Sequence, residues 1–202
     1  GIPVPGMDLD IVDDDGNSVR GKNGYLVIKS PWPAMTRGLL NDDDRYIKTY
    51  WSRFENMWFH GDYVFADEDN LWYMQGRSDD VINVSGHRMS TAEIEHAVIS
   101  HDKISDAASI SIPDELTGEA IVVFFVSNDD NCVGLESEIM EHISKKIGKI
   151  AKPKQIFQLS DLPKTRTGKI MRRLLKSKLM GTELGDLSSL ENPDVLDEIN
   201  KL

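Results

Sequence analysis

The sequence predicts an α+β protein, in which a β-rich first part is followed by a compact α+β domain of about 100 residues. Two observations predict this class. Residues 1–78 hold all four tryptophans and consist mainly of short strand patterns separated by Asp, Asn and Gly turns. Residues 79–180 instead alternate helical apolar stripes with continuous apolar runs. We therefore expect a domain boundary at Gly76–Asp80 and a polar tail at residues 181–202.

The first part begins with a predicted β-hairpin. Asp8–Val12 alternates apolar and polar residues, Asp13–Asn17 is a turn signal, and Gly24–Ile28 supplies the second strand. After Pro31-Trp32-Pro33 stops strand pairing, the acidic start of Asp42–Trp51 predicts a helix. The pattern therefore predicts one helix inserted into antiparallel β structure.

Two further strands complete the first part. Met57–Phe59 and Leu71–Met74 are rich in aromatic residues and lie on either side of another Asp/Asn turn. Together with the hairpin, they are expected to close a small distorted barrel or to form the edge of a sheet. The sequence leaves these two arrangements open.

The second part opens with a short predicted hairpin, Asp80–Val84 with His87–Met89, and a helix. Ser90-Thr91-Ala92-Glu93 is a capping box, which marks the start of that helix. Its apolar stripe is Ile94, Ala97, Val98 and His101.

The rest of the second part alternates strands and helices. One apolar run, Ala120–Val126, is continuous enough to be buried on both faces. The other predicted elements are a strand at Ala107–Ile112, a helix along Leu135, Ile139, Ile143 and Ile147 that ends at Gly148, a strand at Gln155–Leu159 and a basic helix at Ile170–Leu179.

Composition excludes several classes of protein. The single cysteine, Cys132, rules out an internal disulfide, and the five scattered histidines show no zinc spacing, so we expect no metal site. No apolar stretch approaches the roughly 20 residues of a membrane span and no leader opens the chain, which predicts a cytoplasmic protein with no membrane partner. Because the chain opens at Gly1 and not at a methionine, we expect it to be a fragment of a longer product.

Charge is distributed unevenly along the chain. The sequence has 23 Lys and Arg against 34 Asp and Glu, a net charge of −11. Lys145–Lys178 nevertheless contains 12 Lys and Arg against one acid, Asp161. An acidic protein with one basic segment is not a general nucleic-acid binder, although such a segment suits a small polyanion.

Two motifs near the boundary carry groups that suit a nucleotide. In Phe59-His60-Gly61-Asp62 the acid follows a glycine at the end of an aromatic strand, where Asp62 can accept hydrogen bonds from a ribose diol. The alternative is a turn acid that caps its own backbone.

Arg77 and Arg88 flank a predicted hairpin with Gly86 at its tip. Arginine forks suit phosphates, and a glycine permits close approach of a ligand. Two ordinary salt bridges and a turn glycine explain these residues equally well.

A third motif, Pro163–Lys169, places a lysine on a glycine-containing loop before the basic helix. It is not a Walker A loop, because Pro163 stands where the first glycine belongs and Ile170 replaces the Ser/Thr that binds magnesium. A solvated basic turn is the alternative for each of its lysines, Lys164 and Lys169. Charge alone does not decide between these interpretations.

In order and spacing, these motifs resemble the C-terminal motifs of the AMP-forming acyl-CoA synthetases, which belong to the adenylate-forming superfamily. The resemblance covers nearly the whole chain. The matching motifs are Gly61-Asp62, Gly76-Arg77-x-Asp79-Asp80, Ser85-Gly86-His87-Arg88, Glu93-Ile94-Glu95 and Pro163-Lys164-Thr165-x-x-Gly168-Lys169. The stretches that look like the acetyl-CoA synthetase branch are Trp32-Pro33, Arg45–Trp51 and Gly168–Arg173.

The resemblance implies a fold and a reaction. Residues 1–78 would end a large N-terminal domain, residues 79–180 would form a mobile C-terminal lid, and residues 181–202 would be the tail. The phosphate loop and acyl pocket would lie in the missing N-terminal domain, so the fragment alone is expected to be inactive. ATP, with Mg²⁺, and a short carboxylate such as acetate would form an acyl-adenylate and pyrophosphate, and CoA would then displace AMP.

The resemblance also implies roles for individual residues. Lys169 would be the catalytic residue of adenylation and a target for a lysine acetyltransferase and deacetylase. Ser144 stands where acetyl-CoA synthetases usually carry an arginine for the CoA 3′-phosphate, so that contact stays open, with Lys145 and Lys146 beside it. The other implied roles are ribose binding for Asp62, ribose and phosphate binding for Arg77, α-phosphate binding for Arg88, CoA binding for Ser85 and Gly86, and the hinge for Asp79.

Two alternatives remain. Propionate or hydroxypropionate would fit the same family, because acyl choice depends on residues upstream of Gly1. A stand-alone regulatory module that binds a polyanion through its basic segment is the alternative from a different class of protein.

Overall fold

A computed structural model describes residues 1–129 and 134–199. The chain divides into two units, Gly1–Val81 and Ile82–Leu202. Cys132, the single cysteine, lies outside the described residues. Within the described residues, no helix has the length and apolar character that crossing a membrane requires.

Unit 1 is an antiparallel sheet of four strands with one helix. The strands β1 (Leu9–Val12), β2 (Asn23–Ile28), β3 (Trp58–Ala66) and β4 (Trp72–Arg77) pair in chain order, and α1 (Asp43–Tyr50) lies between β2 and β3 in the chain. The predicted first hairpin and the predicted helix are both confirmed. β1 and β4 are the two edges of this sheet, so the strands do not close the expected barrel within the described residues.

Strand β3 is longer than its sequence pattern indicated and is irregular at its centre. The prediction ended this strand at Phe59, whereas β3 continues to Ala66. Three residues lie between Phe59 and Tyr63, but only one lies between their partners on β2, which makes this segment a β-bulge. Gly61 has a φ of +89° there, so the glycine bends the strand and does not end it.

Aromatic rings hold α1 against the sheet of unit 1. The ring of Trp58 on β3 stacks on Tyr50 of α1, with centroids 4.2 Å apart. Trp32 and Trp51 meet the same indole edge-on, at 5.4 and 5.7 Å. Most of the tryptophans that distinguish the first part of the sequence are therefore packing residues.

Unit 2 is built around a five-stranded sheet. Its elements are β5 (Ile82–Val84), β6 (His87–Met89), α2 (Thr91–Ile99), β7 (Ile104–Asp114), β8 (Gly118–Ser127), α3 (Leu135–Lys146), a 3₁₀ turn (Lys149–Ala151), β9 (Gln155–Gln158), α4 (Arg172–Leu179) and α5 (Val195–Ile199). β8 pairs with β5 and β7 in antiparallel fashion and with β9 in parallel fashion. The α+β class is confirmed.

β8 is buried on both faces, as its sequence predicts. Ile121, Val123 and Phe125 pack into one core with α2 and α3, which we call the α2–α3 core. Val122 and Phe124 point the other way into a core with α4 and α5, the α4–α5 core. The strand thereby separates two helical layers.

The predicted start of α2 is confirmed. Ser90 Oγ accepts a hydrogen bond from Ala92 N at 3.1 Å, which caps the helix. Ile94 and Val98 are fully buried in the α2–α3 core. His101, which the predicted stripe included, lies beyond the last helical residue, Ile99.

The polar tail packs onto unit 2. Val195, Leu196 and Ile199 of α5 are buried in the α4–α5 core. Glu198 of the same helix accepts a hydrogen bond from Ser160 N at 3.0 Å. Residues 181–199 are therefore part of this unit.

An ion pair with a buried carboxylate joins the start of α4 to α2. Arg172 Nε and Nη2 lie 2.8 and 2.6 Å from the two carboxylate oxygens of Glu95, a bidentate geometry. Ser109 N on β7 donates to the same carboxylate at 2.8 Å. Glu95 is 7% exposed, so its charge depends on these partners.

We expect Arg172→Met to lower the free energy of unfolding of unit 2 by about 3 kcal/mol, because the Glu95 carboxylate is left buried without its guanidinium partner. Every tryptophan lies in unit 1, and within residues 1–129 and 134–199 every helix except α1 lies in unit 2. In urea, far-ultraviolet circular dichroism would therefore follow mainly unit 2, while tryptophan fluorescence follows unit 1.

The control is Arg166→Met, which truncates an arginine whose side chain is 78% exposed. It should leave the circular-dichroism midpoint almost unchanged. Equal shifts for the two variants would show that the Glu95–Arg172 pair does not contribute more than a surface charge.

Candidate functional site

The predicted site residues lie in both units. Asp62, Arg77 and Asp79 belong to unit 1. The corresponding residues of unit 2 are Ser85, Gly86, Arg88 and Lys169. The structure brings together the three residues of unit 1 and separates those of unit 2 into a hairpin tip and a second, distant segment of the chain.

In unit 1, Asp62 and Arg77 face each other across β3 and β4. Arg77 Nη1 lies 3.4 Å from Asp62 Oδ1, and Arg77 Nε lies 3.3 Å from Asp79 Oδ1. His60 Nδ1 lies 2.7 Å from the other oxygen of Asp62. Asp62 is 17% exposed at its side chain, so this carboxylate is held in place by two side chains and remains partly accessible.

Gly61 makes room for the guanidinium of Arg77. A Cβ on this residue would lie 2.5 Å from Arg77 Nη2, closer than atoms approach without a shift. The bulge in β3 and the absent side chain therefore let Arg77 lie against the backbone beside Asp62. This contact differs from the predicted turn at the end of a strand, because the Gly61-Asp62 pair lies inside β3.

In unit 2, Ser85 and Gly86 form the tip of the β5–β6 hairpin. Both have positive φ, +51° and +83°, between the paired residues Val84 and His87, which is the geometry of a two-residue type I′ turn. A Cβ on Gly86 would meet nothing within 4 Å. The backbone at this tip is consequently open to a ligand, and Arg88 follows on β6 as an exposed residue.

A basic groove of about 380 Å³ lies beside Ser85. Its lysines are Lys149, Lys152 and Lys154. Lys154 Nζ is paired with Asp114 at 2.5 Å, and this ion pair, with hydrogen bonds from Thr117, holds the pKa of Asp114 well below its ordinary value. Lys149 and Lys152 are exposed.

Ser144, which replaces the arginine that the resemblance implies, is turned toward its own helix. Its Oγ donates to Met140 O at 2.9 Å within α3. Lys145 is paired with Glu141 at 2.9 Å, one helical turn away. Neither residue therefore presents an unengaged group at this end of α3.

Lys169 lies on a small hairpin and not on an open loop. Lys164 pairs with Ile170, Thr165 N donates to Lys169 O at 2.9 Å, and Met171 N donates to Pro163 O at 2.7 Å. We call residues 163–171 the Lys169 hairpin. The sequence indicated a loop because a segment of nine residues is too short to show the pattern of two strands.

The two lysines of this hairpin are not equivalent, because the alternative of a solvated basic turn fits Lys169 but not Lys164. Lys164 Nζ lies 2.9 Å from both Asp161 Oδ1 and Asp106 Oδ2, and hydrogen bonds to Asp161 and then Asp106 raise its pKa. Lys169 is exposed, and in residues 1–129 and 134–199 no carboxylate lies within ion-pair distance of it.

A hollow of about 400 Å³ borders Lys169. It is lined by Thr165, Arg166, Thr167, Lys169, Ser188 and Ser189. Two cations and four hydroxyl groups thus surround an open volume, and such groups suit an anionic ligand.

The residues that support Lys169 had no predicted supporting role. Glu95 lies next to Ile94 on the buried face of α2, and an acid on an apolar stripe is a signal that a partner must be present. That partner, Arg172, directly follows the Lys169 hairpin. Asp106 and Asn192 gave no such signal, because they reach the hairpin from distant parts of the chain.

The chain is similar in sequence to known proteins. Residues 93–169 match the family described as AMP-binding enzyme C-terminal domain. The chain is 47% identical over its whole length to the acetyl-coenzyme A synthetase of Pyrobaculum arsenaticum, and it spans about 30% of the length of that relative.

Solved structures show the same fold. The acetoacetyl-CoA synthetase from Streptomyces lividans superimposes with a TM-score of 0.85 at 27% identity, over 99% of this chain and 31% of that one. An anthranilate CoA ligase in complex with anthranoyl-AMP superimposes with a TM-score of 0.75 at 29% identity, over 88% of this chain and 34% of that one. Residues 93–169 therefore belong to the AMP-binding enzyme C-terminal domains, and the chain as a whole matches the C-terminal portion of the acetyl-coenzyme A synthetases.

Proposed function

We propose that the chain is the C-terminal portion of an AMP-forming acetyl-CoA synthetase, an acid–thiol ligase that converts ATP, acetate and CoA to acetyl-CoA, AMP and pyrophosphate. The match of the whole chain to such enzymes carries this proposal. The exposed ammonium of Lys169, held on a folded hairpin, supports it. Because the chain spans about 30% of these enzymes, the activity belongs to the longer protein and the isolated chain is inactive.

Two displacement steps make up the reaction. An acetate oxygen attacks the α-phosphorus of ATP, which forms acetyl-adenylate and releases pyrophosphate. The CoA thiolate then attacks the acetyl carbon, and the bond from that carbon to AMP breaks, so that AMP leaves with the bonding electrons. Both steps develop negative charge on oxygens, which positioned cationic donors stabilise.

Mg²⁺ enters with ATP as part of the substrate. In the described residues, no three His, Cys, Asp or Glu side chains gather to hold a metal ion. The ATP phosphates are oxygen ligands of the kind that Mg²⁺ prefers. This chain's part in the chemistry is therefore carried by its own cations.

Lys169 is the catalytic residue of the first step. Its ammonium contacts the acetate and α-phosphate oxygens, where charge develops. Arg88 on β6 pairs with the α-phosphate. Acetylation of Lys169 by a lysine acetyltransferase removes the charge and stops adenylation until a deacetylase restores it.

Asp62 and Arg77 hold the nucleotide. The Asp62 carboxylate, already oriented by His60 and Arg77, accepts hydrogen bonds from the ribose hydroxyls. Arg77 contacts the ribose and the phosphate side. Their ion pair keeps both groups in position before the nucleotide binds, which reduces the cost of ordering them.

The hairpin tip receives CoA. The pantetheine chain passes over Ser85 and Gly86, where the backbone is open. Ser144 does not supply a charge for the 3′-phosphate and Lys145 is paired with Glu141, so we assign that contact to Lys146.

Asp79 is the hinge of a lid that comprises residues 79–180. It lies in the turn closed by the hydrogen bond from Asp80 N to Arg77 O, and its side chain is 74% exposed. Few contacts then oppose a change of its backbone dihedrals. Rotation at this position presents Lys169 for adenylation and the Ser85–Gly86 tip for thioester formation.

The first test concerns Lys169. It uses a fusion enzyme, in which the N-terminal portion of the Pyrobaculum arsenaticum synthetase is joined to this chain in place of its own C-terminal portion. We expect Lys169→Ala to slow acetate-dependent ATP–pyrophosphate exchange at least about a hundredfold, because one positioned charge is lost. Thioester formation from supplied acetyl-adenylate and CoA should be retained.

Lys145→Ala is the matched control, since it removes an exposed lysine from the same basic segment. It should leave both half-reactions near the parent rates. Equal losses for the two lysines, or an equal loss of both half-reactions in Lys169→Ala, would contradict the assigned role.

The second test concerns Gly86. Gly86→Leu should block thioester formation at least about tenfold more strongly than adenylation, because the side chain occupies the path of pantetheine and strains a positive-φ turn only locally. Gly181→Leu introduces the same kind of strain at a φ of +66° with open space around it, and it should affect neither half-reaction selectively. If both half-reactions fall together in Gly86→Leu, the effect is on folding.

The third test concerns the hinge. Asp79→Pro fixes φ near about −65° and disfavours the helical conformation of the preceding residue, so it opposes rotation at this turn. We expect one half-reaction to slow at least about tenfold while the other persists. Asp79→Ala should keep both, and unchanged turnover in Asp79→Pro would show that the pivot lies elsewhere.

A further inference from the structure

The segment between α4 and α5 runs beside the Lys169 hairpin and is joined to it by an isolated β-bridge. We call residues 187–192 the tail segment. Leu190 pairs with Thr165 in antiparallel fashion, and Glu191 N donates to Lys164 O at 2.9 Å. Lys164-Thr165 therefore lies between Ile170 on one side and the tail segment on the other.

Asn192 joins the tail segment to the base of the hairpin through three hydrogen bonds. Its Oδ1 accepts from Lys164 N at 3.0 Å. Its Nδ2 donates to Asp161 Oδ2 and to Leu162 O, each at 2.8 Å. The amide thus uses its acceptor and both of its donor hydrogens, and an isosteric carboxylate cannot reproduce this pattern.

The ammonium of Lys164 closes the same network from the other side. It contacts Asp161, which Asn192 also binds, and Asp106 on β7. Although burial opposes the charged carboxylate, the hydrogen bond from Lys164 helps to lower the pKa of Asp161. The carboxylate and ammonium are thus both charged at neutral pH and tie the hairpin to the sheet of unit 2.

The tail segment is anchored at both ends. Before it, Arg173 Nη2 on α4 donates to Asp186 O at 2.7 Å, and Nη1 contacts Leu184 O. After it, α5 is buried in the α4–α5 core. Because the tail segment is fixed at both ends, it restrains the motion of the hairpin that it borders.

We propose that the tail segment positions Lys169 for adenylation, with Asn192 as the positioning residue. An isolated two-stranded hairpin is marginally stable in water, and a catalytic group must be held to within about 0.5 Å of its productive place. The β-bridge at Leu190, the backbone hydrogen bond of Glu191 and the Asn192 hydrogen bonds supply this order, while the exposed tip leaves the ammonium accessible. The inference rests on the proposed role of Lys169 in adenylation.

Asn192→Asp on the 202-residue chain tests the mechanical part of the proposal. The new carboxylate faces Asp161 and the carbonyl of Leu162, so it replaces two attractive contacts by repulsion. We expect amide hydrogen exchange in residues 163–171 to accelerate at least about tenfold while β8 is unchanged. Glu191→Gln is the control, because its backbone makes the strand contact and its side chain is exposed; it should leave exchange unaltered.

The fusion enzyme tests the catalytic part. Asn192→Asp should lower the kcat of adenylation at least about tenfold, with little change in the KM for ATP and with thioester formation retained. Asp161→Asn combined with Asn192→Asp restores a donor–acceptor pair between the two side chains, and it should recover part of both the adenylation rate and the exchange protection.

The outcomes separate this inference from the proposed function. Unchanged exchange in Asn192→Asp, or faster exchange with normal adenylation, overturns the positioning role. Equal losses in both half-reactions without recovery in the double variant also overturn it, since they indicate a general loss of structure. A parent fusion enzyme that makes no acetyl-adenylate instead overturns the proposed function itself.

Discussion

The architecture of unit 2 depends on the burial of β8 on both faces. A strand whose large apolar side chains point alternately to its two faces can separate two helical layers, provided that each layer covers one face. Val123 and Phe124 are neighbours in the chain but lie in different cores. Each candidate group of this unit lies on an element that packs against one of those cores. The β5–β6 hairpin packs against the α2–α3 core, and the Lys169 hairpin packs against the α4–α5 core.

Ion pairs join elements that come from distant parts of the sequence. The Glu95–Arg172 pair joins the two helical layers, and the Lys164 network joins the Lys169 hairpin to β7. The basic member of each pair lies close to Lys169 in the chain, Lys164 before it and Arg172 after it. The exposed Lys169 thus lies between two basic residues that form ion pairs with carboxylates.

Periodicity predicted the elements but not their local irregularities. The hairpins at β1–β2 and β5–β6, the helices and the two-sided burial of β8 follow from alternation, capping and turn residues, which act over a few positions. The bulge at Gly61 did not follow, because a glycine that bends a strand and one that ends it look the same in sequence. The parallel pairing of β9 and the docking of α5 depend on partners that are far apart in the chain.

The candidate site was predictable to a different extent in each unit. Family motifs named Asp62, Arg77 and Lys169, since those residues stand at characteristic spacings. Asn192 and Asp106, which help to fix the Lys169 hairpin, belong to no sequence motif. Asn192 acts through a hydrogen bond to a residue 28 positions away, and Asp106 acts through an ion pair from the neighbouring strand. Contacts of this kind are properties of the folded chain, and no local pattern encodes them.

The contrast between Lys164 and Lys169 has a consequence for covalent chemistry at this segment. An amine reacts as a nucleophile only when it has lost its proton and can be reached. Two carboxylates hold the proton on Lys164 and occupy its approach, whereas the side chain of Lys169 stands in solvent on the far strand of the same hairpin. An enzyme or a small electrophile that modifies amines would therefore react with Lys169 and not with Lys164. This selectivity would follow from the fold.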